Sequence, residues 1–310
     1  MSLRLLAVAS CSLFVLAGLA HAQPAPTEKP FLWKLDTEPP SYLYGTMHVP
    51  DKRVTTLPSV VREALDEVDA FYGELALEPE LQAQLMPRMM LPAGKTLQQV
   101  LPEKTYKRLG DYLSGRGLGM LVPALQRMKP WAVSAQLQQL DYMMELQMGA
   151  KPLDQLLYSL SKQKGKEVGG LETPDEQLSV FESLTLEEQA RQLEDTLEQL
   201  EKAAKEGKKA SEDLLKLYVA GDLEAIERKA TEEFDLEDPT EKKLYKLLVV
   251  DRNVRMADRI HERLEAAKGK KSYFFAVGVL HYPGEQGILA LLAAKGYGIT
   301  RILPGNSEKD

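Results

Sequence analysis

The chain has 310 residues, with 39 lysines and arginines against 46 aspartates and glutamates, a formal charge of −7, and one cysteine. That balance, with cationic stretches such as 202–209 interleaved with acids, excludes nucleic acid as a partner. Cys11 lies in the extreme N-terminal segment, so the rest of the chain has no disulfide and must draw its stability from a buried core, in one large domain or two small ones.

Residues 1–22 read as a secretion signal. Arg4 supplies the positive start, Leu5 to Ala20 is almost unbroken apolar, and Ala20-His21-Ala22 matches the small-residue cleavage pattern. The run is too short for a stable membrane span. Val8-Ala9-Ser10-Cys11 loosely resembles a lipoprotein signal, but the apolar run continues past the cysteine. An exported protein, periplasmic or secreted, is expected. Residues 23–30 are rich in proline and alanine and read as a disordered lead-in.

Phe31 to Leu35 and Tyr42 to Tyr44 read as two strands around the turn Glu38-Pro39-Pro40-Ser41, a hairpin. Leu57-Pro58-Ser59 opens a helix with apolar positions at Val60, Val61, Ala64, Leu65 and Val68. Ala70 to Leu75 is the next strand. Leu97 to Pro102 leads into a helix through Leu113, a second helix is expected from Lys129 to about Met148, and a third starts at Lys151-Pro152-Leu153-Asp154 and ends at Gly165. Lys166 to Glu172 is short and apolar-centred, a strand. From Leu184 to Ala267 the chain reads as charged helix, broken at Gly221-Asp222 and Asp238-Pro239. Tyr273 to Val277 is a buried strand, Gly287 to Ala294 a helix, and Ile299 to Leu303 a last strand. Strands gather at both ends and helices fill the middle. The expected fold is therefore α/β (α+β): a single domain over 31–310, its central sheet built from the N- and C-terminal segments, with a large helical insertion over about 81–267. Within that insertion, Leu85-Met86-Pro87-Arg88-Met89-Met90-Leu91 admits two readings, a flexible lining for an extended peptide or ordinary helix packing.

One short pattern occurs twice. Gly45-Thr46-Met47-His48-Val49-Pro50 and Gly278-Val279-Leu280-His281-Tyr282-Pro283 each follow an apolar, aromatic-rich run. They hold two of the four histidines, and a third, His21, lies in the signal segment. Four apolar strands each deliver one ionisable residue near their exit: His48, Glu74, Glu172 and His281. Crevices at strand C-termini are the usual ligand sites of open sheets, and two imidazoles with two carboxylates suit a divalent metal or an acid/base cluster. The glycine three residues before each histidine permits a sharp turn or a close approach.

Each residue also has a structural reading. A lone histidine is more often a hydrogen-bonder than a ligand. Glu74 suits a strand-edge acid, although an acid in an apolar strand needs a partner. Glu172 suits a helix-start acid before Thr173-Pro174-Asp175-Glu176. Arg252 suits a salt bridge with a helix acid, or a clamp on a carboxylate or peptide carbonyl. His261 sits on a charged helix and reads as surface. The sequence has no H-E-x-x-H and no G-x-S-x-G, and no cysteine outside the signal segment to act as nucleophile.

With these residues in view, the chain resembles the TraB/GumN family, which includes the TIKI metalloproteases. The resemblance covers nearly all of the chain after the signal. It rests on Leu43-Tyr44-Gly45-Thr46-Met47-His48, Gly73-Glu74-Leu75, Gly170-Leu171-Glu172-Thr173-Pro174-Asp175-Glu176-Gln177, Arg252-Asn253-Val254-Arg255-Met256-Ala257 and Val277-Gly278-Val279-Leu280-His281-Tyr282-Pro283-Gly284. It implies a central sheet with paired Gly-x-x-His motifs and, for some members, peptide cleavage dependent on a divalent metal such as Mn, Co or Zn. Carried onto this sequence, it implies functional positions at His48, His281, Glu74, Glu172, Arg252 and Asn253. The expected function is an exported metal-dependent hydrolase of peptide or protein substrates. His48, His281 and Glu74 would be the ligands and Glu172 the base, with the two acids free to exchange roles. Two rivals stand beside it: a non-catalytic binder of peptide or glycan using the same cleft, and a metal-independent esterase using a histidine and a glutamate.

Overall fold

The computed structural model describes residues 27–305 apart from Glu233 and Asp235. The secretion signal expected over 1–22 lies outside the described residues. Four residues of the expected disordered lead-in, 27–30, are ordered against the fold. Thr27 and Pro30 are buried, and Thr27 Oγ1 donates to the Val219 carbonyl at 2.8 Å.

Six strands form one sheet: β1 (Leu32–Leu35), β2 (Ser41–Thr46), β3 (Ala70–Gly73), β4 (Glu167–Gly170), β5 (Tyr273–Gly278) and β6 (Ile299–Ile302), in spatial order β4-β3-β5-β2-β1-β6. β4, β3, β5 and β2 run parallel. β1 is antiparallel to both β2 and β6. The sheet is thus the α/β frame expected, with helices between its strands; five strands come from the two ends of the sequence, and the edge strand β4 comes from within the expected insertion. β2 and β5 lie at its centre and are buried along almost their whole length. That burial is why they read as unbroken apolar runs. Aromatic side chains fill the space around them: Phe71 and Phe274 stack with centroids 6.2 Å apart, and Trp33 stacks on Tyr282 at 4.8 Å.

The helices follow the sequence signals where caps are explicit. Ser59–Glu67 buries Val61, Ala64 and Leu65 against the sheet core. Leu186–Lys205 starts at a capping box between Thr185 and Glu188, and buries Leu193, Leu197 and Leu200 in a separate helical core with Leu109, Leu113 and Leu137. Gly221 closes Glu212–Ala220 with φ 68°, a conformation suited to glycine. Two expected long helices are interrupted. Pro130–Gln139 gives way to a 3₁₀ turn at Leu140–Tyr142 before Met143–Gln147, and the stretch after 205 breaks at Gly207, φ 68°. The methionine-rich segment packs as a helix, Pro79–Met89. Leu85 and Met89 rest on Trp131, Ala132 and Leu178, and Met86 is 46% exposed.

β4 is the sheet edge and leads at once into the helix Pro174–Glu182. A capping box joins Thr173 to Glu176, and the Arg259 guanidinium grips both Glu176 oxygens at 2.7 Å. Arg259 holds the Glu176 carboxyl down to about 2, against the opposing effect of burial. A depressed carboxyl stabilises the fold above its unfolded-state value and loses that contribution as pH falls through the folded value. We therefore expect Glu176→Gln to cost about 1–2 kcal/mol at neutral pH and almost nothing near pH 2, read as the difference between urea unfolding curves of wild type and variant. A cost independent of pH would contradict the pairing.

Candidate functional site

The parallel register fixes the site. In the β2–β5 ladder Gly45 lies opposite Val277 and Thr46 opposite Gly278, so the two motifs leave the sheet side by side. β3 pairs with the other edge of β5, and Glu74 follows its last residue, Gly73. β4 pairs with β3, Gly73 opposite Gly170, and Glu172 follows two residues on. The four strand exits therefore present Glu172, Glu74, His281 and His48 in spatial order along one edge.

The two motif glycines serve close approach. Neither has a positive φ among the described residues. A Cβ on Gly45 would sit 2.9 Å from Phe31 Cβ and 3.1 Å from Val279 Cγ2, so this glycine lets the strands pack. A Cβ on Gly278 would sit 3.0 Å from Glu74 Oε1, 3.6 Å from His281 Cδ2 and 3.7 Å from His48 Nε2. One point in space is thus shared by both imidazoles and the first carboxylate, and glycine keeps it clear.

Each imidazole is held through Nδ1. His281 Nδ1 lies 2.6 Å from Asn253 Oδ1, and Asn253 Nδ2 donates to the Gln286 carbonyl at 2.8 Å. The amide is oriented by that carbonyl, so its oxygen faces the ring, the proton belongs on His281 Nδ1, and Nε2 is left as a lone pair. His48 Nδ1 lies 2.7 Å from Asp154 Oδ2, and His48 Nε2 stands 3.8 Å from Glu74 Oε1. His281 is buried, which pushes it down to about 4. The side chain of His48 is 59% exposed, and the Asp154 carboxylate pushes it up to about 9.

Behind the imidazoles lies a buried ion cluster. Arg252 Nη2 donates to Glu74 Oε2 and to Glu172 Oε2, both at 2.7 Å, and Arg252 Nε donates to Glu172 Oε2 at 2.9 Å. Arg255 Nη1 holds the other Glu172 oxygen at 2.7 Å. Glu74 Oε1 accepts from the Gly278 backbone N–H at 2.7 Å. Burial opposes the charge on Glu74, but His48, Arg252, His281 and the Gly278 N–H outweigh it and hold the carboxyl well below the usual range.

A cavity of about 820 Å³ opens over this edge, with His48, Glu74, Arg252, Asn253, Gly278 and His281 in its wall. The opposite wall comes from the helical insertion, through Gln138, Gln199, Leu214 and Val249 among others. None of Met86, Met89 and Met90 lines it; Leu85 and Met89 pack in the Trp131 cluster, and Met86 is exposed. Glu172 is also absent from the wall. Its side chain, expected as the base, is fully buried, with one oxygen on Arg252 and the other on Arg255. His261 lies apart, its Nδ1 2.9 Å from Tyr297 Oη. The sequence reading missed Asp154, Thr46 and Arg255. Asp154 looks like any acid in a helix first turn, and only its place after Lys151-Pro152-Leu153 marked the position.

Among the described residues no three or more His, Cys, Asp or Glu side chains are grouped so that they could hold a metal ion as they stand. The donor set still suits one. His48 Nε2 and Glu74 Oε1, 3.8 Å apart, and the His281 ring at Cδ2 surround the Gly278 cradle, each imidazole is anchored at Nδ1 as metal-binding histidines are, and ligand atoms each about 2.1 Å from one ion stand roughly 3–4 Å apart.

Fold and site together define an α/β protein with a paired-histidine cleft at the C-terminal ends of the parallel strands of a mixed sheet. Residues 31–301 match the model of the TraB/PrgY/gumN family, and the chain belongs to that family. Among its relatives, "Metalloprotease TIKI1" of Xenopus tropicalis is 29% identical over 323 residues, covering 89% of this chain and 62% of that protein. "Metalloprotease TIKI1" of Homo sapiens is 29% identical over 313 residues, covering 86% and 61%. "Metalloprotease TIKI homolog" of Nematostella vectensis is 27% identical, covering 88% and 67%. The chain thus spans about three-fifths of the length of the first two relatives. No solved structure gives a significant match.

Gly278→Ala tests the cradle. Its backbone, φ −50° and ψ 133°, accepts alanine, so stability should change by no more than about 1 kcal/mol. The new methyl crowds Glu74 Oε1, and ligand binding at the site should fall at least tenfold. A variant that melts early, or one that binds as wild type does, would contradict the assignment.

Proposed function

We propose that the chain is an exported metal-dependent hydrolase that cleaves peptide bonds. The observation that carries this reading is the convergence of His48 Nε2, His281 and Glu74 Oε1 on one point at a cavity wall. Relatives named metalloproteases support the chemistry, and the signal pattern in residues 1–22 supports export. No helix among the described residues is long and apolar enough to cross a membrane.

In this reading His48, His281 and Glu74 are the ligands, for Mn, Co or Zn. A divalent cation there would supply Lewis acidity toward a water and a substrate carbonyl. The protein supplies the rest. Asn253 keeps the proton on His281 Nδ1 and so leaves Nε2 open. Glu172 and Glu74 fix the Arg252 guanidinium at the cavity wall, where its donors can orient a peptide carbonyl oxygen and stabilise charge that develops on it. Glu172 acts through Arg252 and takes no proton itself. The cavity is large enough for several residues of an extended chain, with amide and apolar side chains on the wall facing the histidines.

The His48–Asp154 pair favours one other reading, metal-independent hydrolysis in which His48, once deprotonated above about pH 9, takes a proton from water at Nε2. Chelation separates the two. Cleavage of a peptide library should stop with chelator and return with Mn²⁺, Co²⁺ or Zn²⁺, and His48→Ala and His281→Ala should each lose both metal content and at least 100-fold in activity. Activity indifferent to chelator but lost in His48→Ala would select the metal-free reaction. Saturable peptide or glycan binding without cleavage, unaffected by chelator, would select a binding protein.

A further inference from the structure

The two copies of the motif differ at their second position, Thr46 in the first and Val279 in the second. The partners of the two imidazoles differ in step. His281 Nδ1 meets a neutral amide, Asn253. His48 Nδ1 meets a carboxylate, Asp154, and the second oxygen of that carboxylate accepts from Thr46 Oγ1 at 2.5 Å. Thr46 is 1% exposed, so its hydroxyl is withdrawn from water and committed to this acceptor. Valine at the same place in the second motif has nothing to donate. One strand exit therefore carries a hydroxyl–carboxylate–imidazole chain, and its neighbour a carbonyl–amide–imidazole chain.

The difference matters because the two rings are not equally confined. His281 is 7% exposed and boxed in by β5, the loop at Gln286 and the helix Asp251–Ala267. His48 stands beyond the end of β2 with most of its side chain in the open, so packing alone does not choose its ring orientation. A neutral imidazole free in water prefers its proton on Nε2. An acceptor on Nδ1 reverses that preference and leaves Nε2 as the lone pair that a metal ion, or a proton from water, requires.

We infer that Asp154 is a positioning residue of this site: it turns His48 so that Nδ1 carries the proton and Nε2 faces Glu74, and Thr46 holds Asp154 in place. Asp154 lies in the first turn of the helix Leu153–Gln163, so this helix, from the first half of the insertion, takes part in building the site. The effect on metal affinity rests on the metal-binding reading above; the effect on the ring does not.

The test uses ring-nitrogen NMR on the metal-free protein at alkaline pH, where both motif histidines are neutral, with wild type, Asp154→Ala, Asp154→Asn and Thr46→Val. Zn²⁺ and Co²⁺ affinities of the same proteins are measured against a chromophoric chelator. Wild type should show a protonated Nδ1 at His48. Asp154→Ala should move that proton to Nε2, leave the His281 signals in place, and weaken metal binding about 10–100-fold. Asp154→Asn keeps an acceptor oxygen, so its ring should retain the wild-type pattern while its metal affinity falls less than in the alanine variant. Thr46→Val should weaken binding least. Unchanged His48 nitrogens in Asp154→Ala would overturn the inference, as would a shift of both histidines together, which marks general loosening. If the alanine variant does not fold, Asp154→Asn decides: wild-type affinity there would overturn the role of the carboxylate. A wild type that binds neither metal, yet shows the stated ring pattern and its loss, would retain the positioning role and remove the metal.

Discussion

The parallel ladder between β2 and β5 joins parts of the chain 232 positions apart, closed at its start by the bond from the Tyr273 N–H to Ser41 Oγ. Closing so long a loop costs entropy that nothing local repays. The repayment comes from the buried aromatic faces of the two strands and from the strands that flank them, β1 and β3. Once the ladder forms, its register leaves little freedom at the strand ends. Thr46 must face Gly278, and the two histidines must emerge together. A slip of one residue would turn each side chain to the other face and separate them. Buried tyrosines reinforce the register from behind: Tyr218 Oη donates to the Gly45 carbonyl at 2.6 Å and Tyr282 Oη to the Tyr44 carbonyl at 3.1 Å.

The ion cluster is the second consequence. Glu74 and Glu172 arrive at neighbouring strand exits with little water to solvate them. Two like charges buried side by side would be costly, and Arg252 with Arg255 offsets them. Removing one partner of such a cluster typically costs about 3–5 kcal/mol, so its members are bound to one another structurally before any chemistry is considered. The same contacts place a guanidinium at the cavity wall beside the imidazoles. Stability and site geometry are carried here by the same atoms.

Much of this was legible in the sequence, and the reasons are specific. Buried parallel strands advertise themselves as apolar runs, so β2, β3 and β5 could be placed, and a residue just past each run had to sit at a sheet edge. The repeated Gly-x-x-His pattern pointed to adjacent exits. What sequence could not supply was the partner of each side chain. Glu172 reads as a strand-exit acid free to act as a base, yet Arg255, three residues beyond Arg252, completes its enclosure. Asp154 reads as a helix-start acid, and only the packing of the helix Leu153–Gln163 against β3 and β4 brings it under His48. The break near Gly207 was missed because charged helix and charged turn share a composition, and the 3₁₀ turn at Leu140–Tyr142 because no glycine or proline marks it. Met86, Met89 and Met90 admitted a groove or a core from spacing alone; Met89 packs in the Trp131 cluster, while Met86 is exposed and none of the three lines the cavity.

The central claim is that the two motif histidines and Glu74 bind one cation together. X-ray absorption spectroscopy at the metal edge of the Co²⁺- or Zn²⁺-loaded protein addresses it most directly, because outer-shell scattering from imidazole rings counts the histidines in the first coordination shell. The account predicts two imidazoles with oxygen donors in the wild type, one imidazole in His48→Ala, and one in His281→Ala. A first shell without imidazole, or one unchanged by either substitution, would contradict it.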